Sequence, residues 1–212
     1  SSPAADPDAY TYEHLGLDAL AVLDALGVER AVLAGASMGA HTIVWLALHA
    51  PERLGAMVLI TPAYDPATNA DPQRLERWDA LANGLRTGGI EGFLAARTPG
   101  PEAWEQSIVT VTRQRLSLHA HPLAVADALH AVPRSRPFKA LEQLAGIAVA
   151  ASVVASDDEP DPGHPKAIGE AYAAAIPGAQ LVTDKPGHSP VAWQGNQLSK
   201  VIAGVAAQAR LS

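Results

Sequence analysis

The five residues Gly35-Ala36-Ser37-Met38-Gly39 carry the clearest chemical signal in the chain. The apolar run Ala31-Val32-Leu33-Ala34 leads into them, and Ala40 to Leu48, a stretch free of Gly and Pro, comes next. A Gly-x-Ser-x-Gly on a sharp strand-to-helix turn lifts the serine hydroxyl clear of the backbone, where it can act as a nucleophile. Gly35 and Gly39 are expected to remove side chains that would collide with neighbouring backbone. The turn also sets Ser37 at the positive end of the following helix, with the Met38 N–H placed to donate to an oxyanion forming on a substrate carbonyl. The competing reading is a glycine-softened turn holding an ordinary serine.

A serine hydroxyl is a poor nucleophile at neutral pH, so this chemistry needs an imidazole that takes its proton and later returns it. Of the eight histidines, His188 is the one in a loop after the last predicted strand. His41 and His49 fall on the helix after the turn and read as packing or surface residues. The acid that orients the imidazole should come just after the strand predicted at Ile147 to Ala155, and four carboxylates crowd there: Asp157, Asp158, Glu159 and Asp161. Closeness to the strand end favours Asp158.

The same carboxylates with His164 could be drawn as a metal site, but Pro160 and Pro162 stiffen the loop, and it lacks the alternating ligands and turn glycine of a calcium loop. His119, His121 and His130 lack a convincing local carboxylate partner, so no metal is expected. No cofactor is required by a serine mechanism either.

The elements needed to hold this turn can be read on both sides of it. Leu15, Ala19, Val22, Leu23 and Leu26 recur at helical spacing, and Gly27 supplies a stop, so an amphipathic helix over Tyr12 to Leu26 feeds a strand at Arg30 to Ala34. A second strand at Ala56 to Thr61 completes a strand–helix–strand unit of the kind that builds parallel sheets, which makes the fold class α/β. From Pro62 to Phe138 the periodicity is helical and broken at Thr87-Gly88-Gly89 and Thr98-Pro99-Gly100-Pro101, which reads as a helical insertion. Trp78, Phe93 and Trp104 lie in it and could roof a substrate, with ordinary packing as the alternative. Beyond it come the end of a helix at Lys139 to Leu144, the strand at Ile147 to Ala155, a helix at Ala167 to Ala175, a strand at Gln180 to Thr183 and a closing helix at Gln194 to Ala209.

Composition narrows the partners. The 212 residues are 48% hydrophobic and 17% charged, enough for one sizeable core and too apolar for a disordered chain. Fifteen basic residues against 22 acidic ones give a formal charge of −7, with no basic cluster interleaved with aromatics, which opposes nucleic acid and favours a small-molecule substrate. The absence of cysteine removes disulfides and thiol ligands. No run is long enough to span a bilayer, and the first thirty residues show no signal pattern, so a soluble, cytoplasmic protein without membrane partners is expected.

Taken together, the Gly35-Ala36-Ser37-Met38-Gly39 turn, the stretch Asp161-Pro162-Gly163-His164-Pro165 and the stretch Gly187-His188-Ser189-Pro190 resemble, in that order, the serine turn, the Asp-Pro-x-x-Pro acid loop and the histidine loop of the α/β-hydrolase family. The resemblance runs from the helix before Ser37 to the C-terminus. It implies a parallel sheet with a helical lid, core segments 1–61 and 139–212, and a lid at 62–138. It also implies a triad of Ser37, His188 and Asp161, with Asp158 as the alternative acid. Family members usually open with further strands and a glycine-rich loop that donates the second oxyanion N–H, and Ser1-Ser2-Pro3 resembles the residues just after that loop. The chain is therefore expected to correspond to a family member without its front strands, with the nucleophile strand left at a sheet edge and open to self-association.

The leading expectation is a carboxylesterase-like serine hydrolase acting on a carboxylic ester or related small acyl compound. Amide hydrolysis, carbon–carbon bond hydrolysis and acyl transfer stay open within the same fold. The rival is a non-catalytic binding or scaffold protein, or an inactive fragment, on that fold.

Overall fold

The run Leu54-Gly-Ala-Met-Val-Leu-Ile60 has no polar side chain, and it forms a strand buried at every position, β2 (Leu54–Ile60). A strand covered on both faces reads as such an unbroken apolar run, as parallel sheets require. The computed structural model describes residues 3–4, 6–156, 163–183 and 197–209. Around β2 lie β1 (Ala31–Ala36), β3 (Ala150–Ala155) and β4 (Gln180–Thr183), in the order β1-β2-β3-β4, all parallel. Ala36 sits opposite Ile60, Ile60 opposite Val154, and Val154 opposite Val182, so the carboxyl ends of the strands are level.

Alternate side chains of these strands serve two cores, as the period of two dictates. Met57, Leu59 and Val153 point to one face, where they meet α2 (Met38–His49) and α6 (Lys166–Ala175). Ala56, Val58, Ile60 and Val154 point to the other, where Leu198, Val201, Ile202 and Val205 of α7 (Gln197–Ala206) cover them. Among the described residues β1 pairs with β2 alone, which leaves its other edge open, with Ala34 and Ala36 exposed.

The helix before β1, α1 (Tyr12–Ala25), buries only part of the stripe its apolar spacing suggests. Val22 and Leu26, expected on the inner face, are 58% and 71% exposed. The buried line runs through Tyr12, Gly16 and Leu23, with Ala19 and Leu20 packed against the core. The reason is Gly16, where a Cβ would come within 2.2 Å of the Trp45 ring, so that the indole rests directly on the helix backbone. Counting large apolar side chains misses a contact made by the absence of one.

The described elements fall into two compact units, Ser1–His14 with Ala67–Arg136 and Leu15–Pro66 with Pro137–Ser212. The second holds the sheet. The first is helical: α3 (Pro72–Ala96), which breaks at Gly89 with φ 59°, α4 (Glu102–Ser117) and α5 (Pro122–Ala131). Asp71 caps α3 by accepting the Gln73 N–H at 2.9 Å. No helix among the described residues is long and apolar enough to cross a membrane.

His130, for which the sequence offers no convincing local carboxylate partner, has one from a distant helix of this unit. Its Nδ1 lies 2.7 Å from Asp79 Oδ1, across 51 positions of sequence, while Arg134 Nη2 donates to Asp79 Oδ2 at 2.7 Å. The Arg134 guanidinium first, and then His130, hold the Asp79 carboxyl below its ordinary range, against the opposing effect of burial. The pairing joins α3 to α5 and the turn after it, a contact that only the folded chain creates.

Candidate active site

Ser37 stands between β1 and α2 with φ 51° and ψ −114°, one of two non-glycine residues of positive φ among those described. Such a backbone costs about 1–3 kcal/mol and persists only where its surroundings enforce it. Two bonds do so here: the Ser37 N–H donates to Ile60 O at 2.9 Å, and Ser37 O accepts the His41 N–H at 3.2 Å. The first continues the β1–β2 ladder by one residue and the second opens α2. The Met38 N–H is the first of α2 and has no acceptor inside the helix, as at any helix start.

The two glycines of the turn do different things. A Cβ on Gly35 would lie 2.6 Å from the carbonyl carbon of Gly39 and 2.9 Å from Ile43 Cδ1, so Gly35 is required for the strand to approach the helix. A Cβ on Gly39 would meet no described atom within 4 Å, which corrects the expectation that both positions are sterically barred. Gly39 matters at the contact through its backbone, which is what a side chain on Gly35 would strike.

An imidazole lies against the serine, and it is His164. His164 Nε2 is 2.8 Å from Ser37 Oγ, with both groups partly buried. The sequence drew His164 into a discounted metal cluster and into the acid-loop stretch, without a role at the serine. The missed signal was positional: His164 lies in the segment between β3 and α6, and loops at the carboxyl ends of parallel strands converge on one crevice. His188, Asp161, Asp158, Asp157 and Glu159 lie outside the described residues. Trp78 and Phe93, half-buried on α3, and Trp104, exposed on α4, belong to the helical unit. Among the described residues no group of three or more His, Asp or Glu side chains is placed to hold a metal ion.

The two histidines of α2 part company. His49 is exposed, stacks on Trp45 with ring centroids 4.3 Å apart, and its Nδ1 lies 2.8 Å from Trp45 O. His41 is 5% exposed, and its Nε2 accepts the Ala63 N–H at 2.9 Å and the Tyr64 N–H at 3.0 Å. That goes beyond the packing role read from the sequence, because the ring ties α2 to the segment leaving β2.

Level parallel strands, a strained serine at the carboxyl end of one of them and a helix springing from it match a known architecture. The model of the alpha/beta hydrolase fold matches residues 1–193. The chain belongs to the alpha/beta hydrolase fold family. Among curated relatives it is 35% identical over 81 residues to 3-oxoadipate enol-lactonase 2 of Acinetobacter baylyi, covering 38% of this chain and 28% of that one. It is also 59% identical over 39 residues to a 2-hydroxy-6-oxononadienedioate/2-hydroxy-6-oxononatrienedioate hydrolase of Paraburkholderia phymatum, covering 18% and 14%. The match thus spans under a third of the length of either relative. Among solved structures, a hydrolase from Pseudomonas aeruginosa superposes with a TM-score of 0.69 at 30% identity, covering 98% of this chain and 73% of that one.

Proposed function

We propose that this alpha/beta hydrolase is a serine hydrolase that cleaves a carboxylic ester or related small acyl compound, a lactone included. The observation that carries the reading is Ser37 itself, held at φ 51° at the head of α2 with its hydroxyl 2.8 Å from an imidazole nitrogen. A hydroxyl so placed can pass its proton to the ring as Oγ attacks a carbonyl carbon. The carbonyl oxygen then gains negative charge within reach of the Met38 N–H, and the α2 dipole favours that charge. Collapse expels the alcohol or enol with the proton from the imidazolium, and water releases the acyl group by the same steps in reverse. The chemistry draws on no cofactor or metal.

For the base and its partner, the resemblance to the family assigns His188 and Asp161, with Asp158 as the alternative acid. A second assignment of the base has an observation of its own, the contact of His164 with Ser37 Oγ. The names of the relatives, an enol-lactonase and a hydrolase of an oxo-dienedioate, support a small acyl or carbonyl substrate over a polymer. The half-buried Trp78 and Phe93 and the exposed Trp104 are proposed as weaker substrate contacts.

Labelling with a fluorophosphonate probe and turnover of p-nitrophenyl esters test the reading directly. Ser37→Ala is expected to abolish labelling and lower kcat by a factor on the order of 10⁴ to 10⁶, with an unchanged circular dichroism spectrum. Undiminished hydrolysis by Ser37→Ala refutes it, and absent labelling of the wild-type protein favours a binding role on the same fold.

A further inference from the structure

His41 is joined to the nucleophile turn from two directions. Its backbone N–H donates to Ser37 O at 3.2 Å, and its ring accepts the N–H groups of Ala63 and Tyr64 at 2.9 and 3.0 Å. A nitrogen that accepts two N–H bonds uses its lone pair, so the ring proton sits on Nδ1 and the imidazole is neutral. The segment it grips leaves the end of β2. There Ile60 O accepts the Ser37 N–H at 2.9 Å, and Thr61, 2% exposed, is the second non-glycine residue of positive φ, at 43°. The Thr61 N–H in turn donates to Val154 O at 2.7 Å.

The geometry forms a closed loop of bonds. Ser37 holds Ile60, the chain passes through the strained Thr61 to Ala63 and Tyr64, and His41 returns those two amides to the first turn of the helix that Ser37 begins. Both strained residues lie within this ring, and strained backbone survives only where neighbouring bonds leave it no alternative. The far side of the ring is equally fixed: Tyr64 is buried, its hydroxyl donates to Phe138 O at 2.8 Å, and its carbonyl accepts the Tyr172 hydroxyl at 2.9 Å. An apolar side chain at position 41 would fill the space but leave two amides, that of Tyr64 buried and that of Ala63 partly buried, without this acceptor.

We propose that His41 is a positioning residue for the nucleophile: its neutral ring clamps residues 61–64 to the nucleophile turn and so holds Ser37 in its reactive conformation. The inference rests on the reading of Ser37 as nucleophile. It separates His41 from ordinary core packing because position, and not volume, is what the ring supplies. Displacement of a reacting group by about 1 Å can lower a rate about 100-fold without loss of substrate binding.

Three variants test it, His41→Leu, His41→Gln and His41→Asn, assayed on p-nitrophenyl butyrate and by the rate of fluorophosphonate labelling. The Gln side-chain oxygen can take the place of Nε2 and accept both amides, whereas Asn is one bond too short. Expected are a fall of about 100-fold in kcat and in labelling rate for Leu, at a KM within about twofold of wild type, and recovery to within about fivefold for Gln. Folded Leu protein that labels Ser37 at the wild-type rate overturns the proposal. Should Leu fail to fold, the comparison of Gln with Asn decides: Asn at least about tenfold below Gln in kcat at unchanged KM supports the clamp, and equal rates overturn it. Failure of the underlying reading is distinguishable, since Ser37→Ala would then keep its activity whatever position 41 holds.

Discussion

His164 Nε2 and Ser37 Oγ lie 2.8 Å apart although 127 positions separate them in the chain. The two residues meet because Ser37 follows β1 and His164 follows β3, and the register of the parallel strands sets both segments at the same end of the sheet. This contact puts one imidazole at the proposed nucleophile, while the family resemblance puts another, His188, in the same role.

The two assignments of the base give opposite outcomes in one experiment. If His164 takes the proton, His164→Ala lowers kcat by a factor on the order of 10³ or more, and His188→Ala does so far less. If His188 is the base, the ranking reverses, and His164→Ala alters chiefly KM. Steady-state kcat and KM at pH 7 on both variants read the answer.

For the acid, replacement by its amide keeps the shape and removes the charge that holds the imidazole in its working tautomer. A change of this kind can lower kcat about 10⁴-fold. Asp161→Asn is expected to show that loss and Asp158→Asn to stay within about tenfold of wild type. The reverse order in kcat reassigns the acid to Asp158.

Asp79 makes a prediction about stability in acid. Its carboxyl is held below its ordinary value of 3.8, by Arg134 first and then by His130, so its folded value is lower than its unfolded one. A group shifted in that direction contributes stability that is fully present above the unfolded value and is lost as pH falls through the folded one. Asp79→Asn should therefore lower the urea midpoint at pH 7, and the gap to wild type should close as pH drops below 4. The contribution is modest because the side chain is 32% exposed. A gap that stays constant from pH 7 to pH 3 contradicts the pairing.

The open edge of β1 is proposed as a site of self-association. Among the described residues no second strand pairs with that edge, so its N–H and C=O groups offer a template for another strand, and Ala34 and Ala36 of β1 are exposed. The 212-residue chain is expected to elute larger than a monomer and to shift with concentration in size-exclusion chromatography. Ala34→Lys, which places a charge on that edge, should return it towards the monomer. A concentration-independent monomer in the wild-type chain rules this out.

What the sequence determined by itself is local. A strand buried on both faces must be apolar throughout, and Leu54 to Ile60 reads so without a structure. A serine turn needs a glycine where strand meets helix, so Gly35 and Ser37 are visible together. The helices read at 40–48 and 167–175 lie within α2 and α6, and Pro51 and Pro165 stand beside them in the sequence. Tertiary structure alone decided whatever depends on neighbours distant in the chain. Asp79 and His130 pair across 51 positions, and His164 reaches Ser37 across 127, since sheet register and helix packing bring them together. The inner face of α1 departs in part from its apolar spacing for the same reason: Leu23 is buried as expected, but Trp45 presses on Gly16 while Val22 and Leu26 stay exposed. His41 belongs to this second kind as well, because a histidine one turn beyond a serine shows its purpose only when the amides of Ala63 and Tyr64 are folded against its ring.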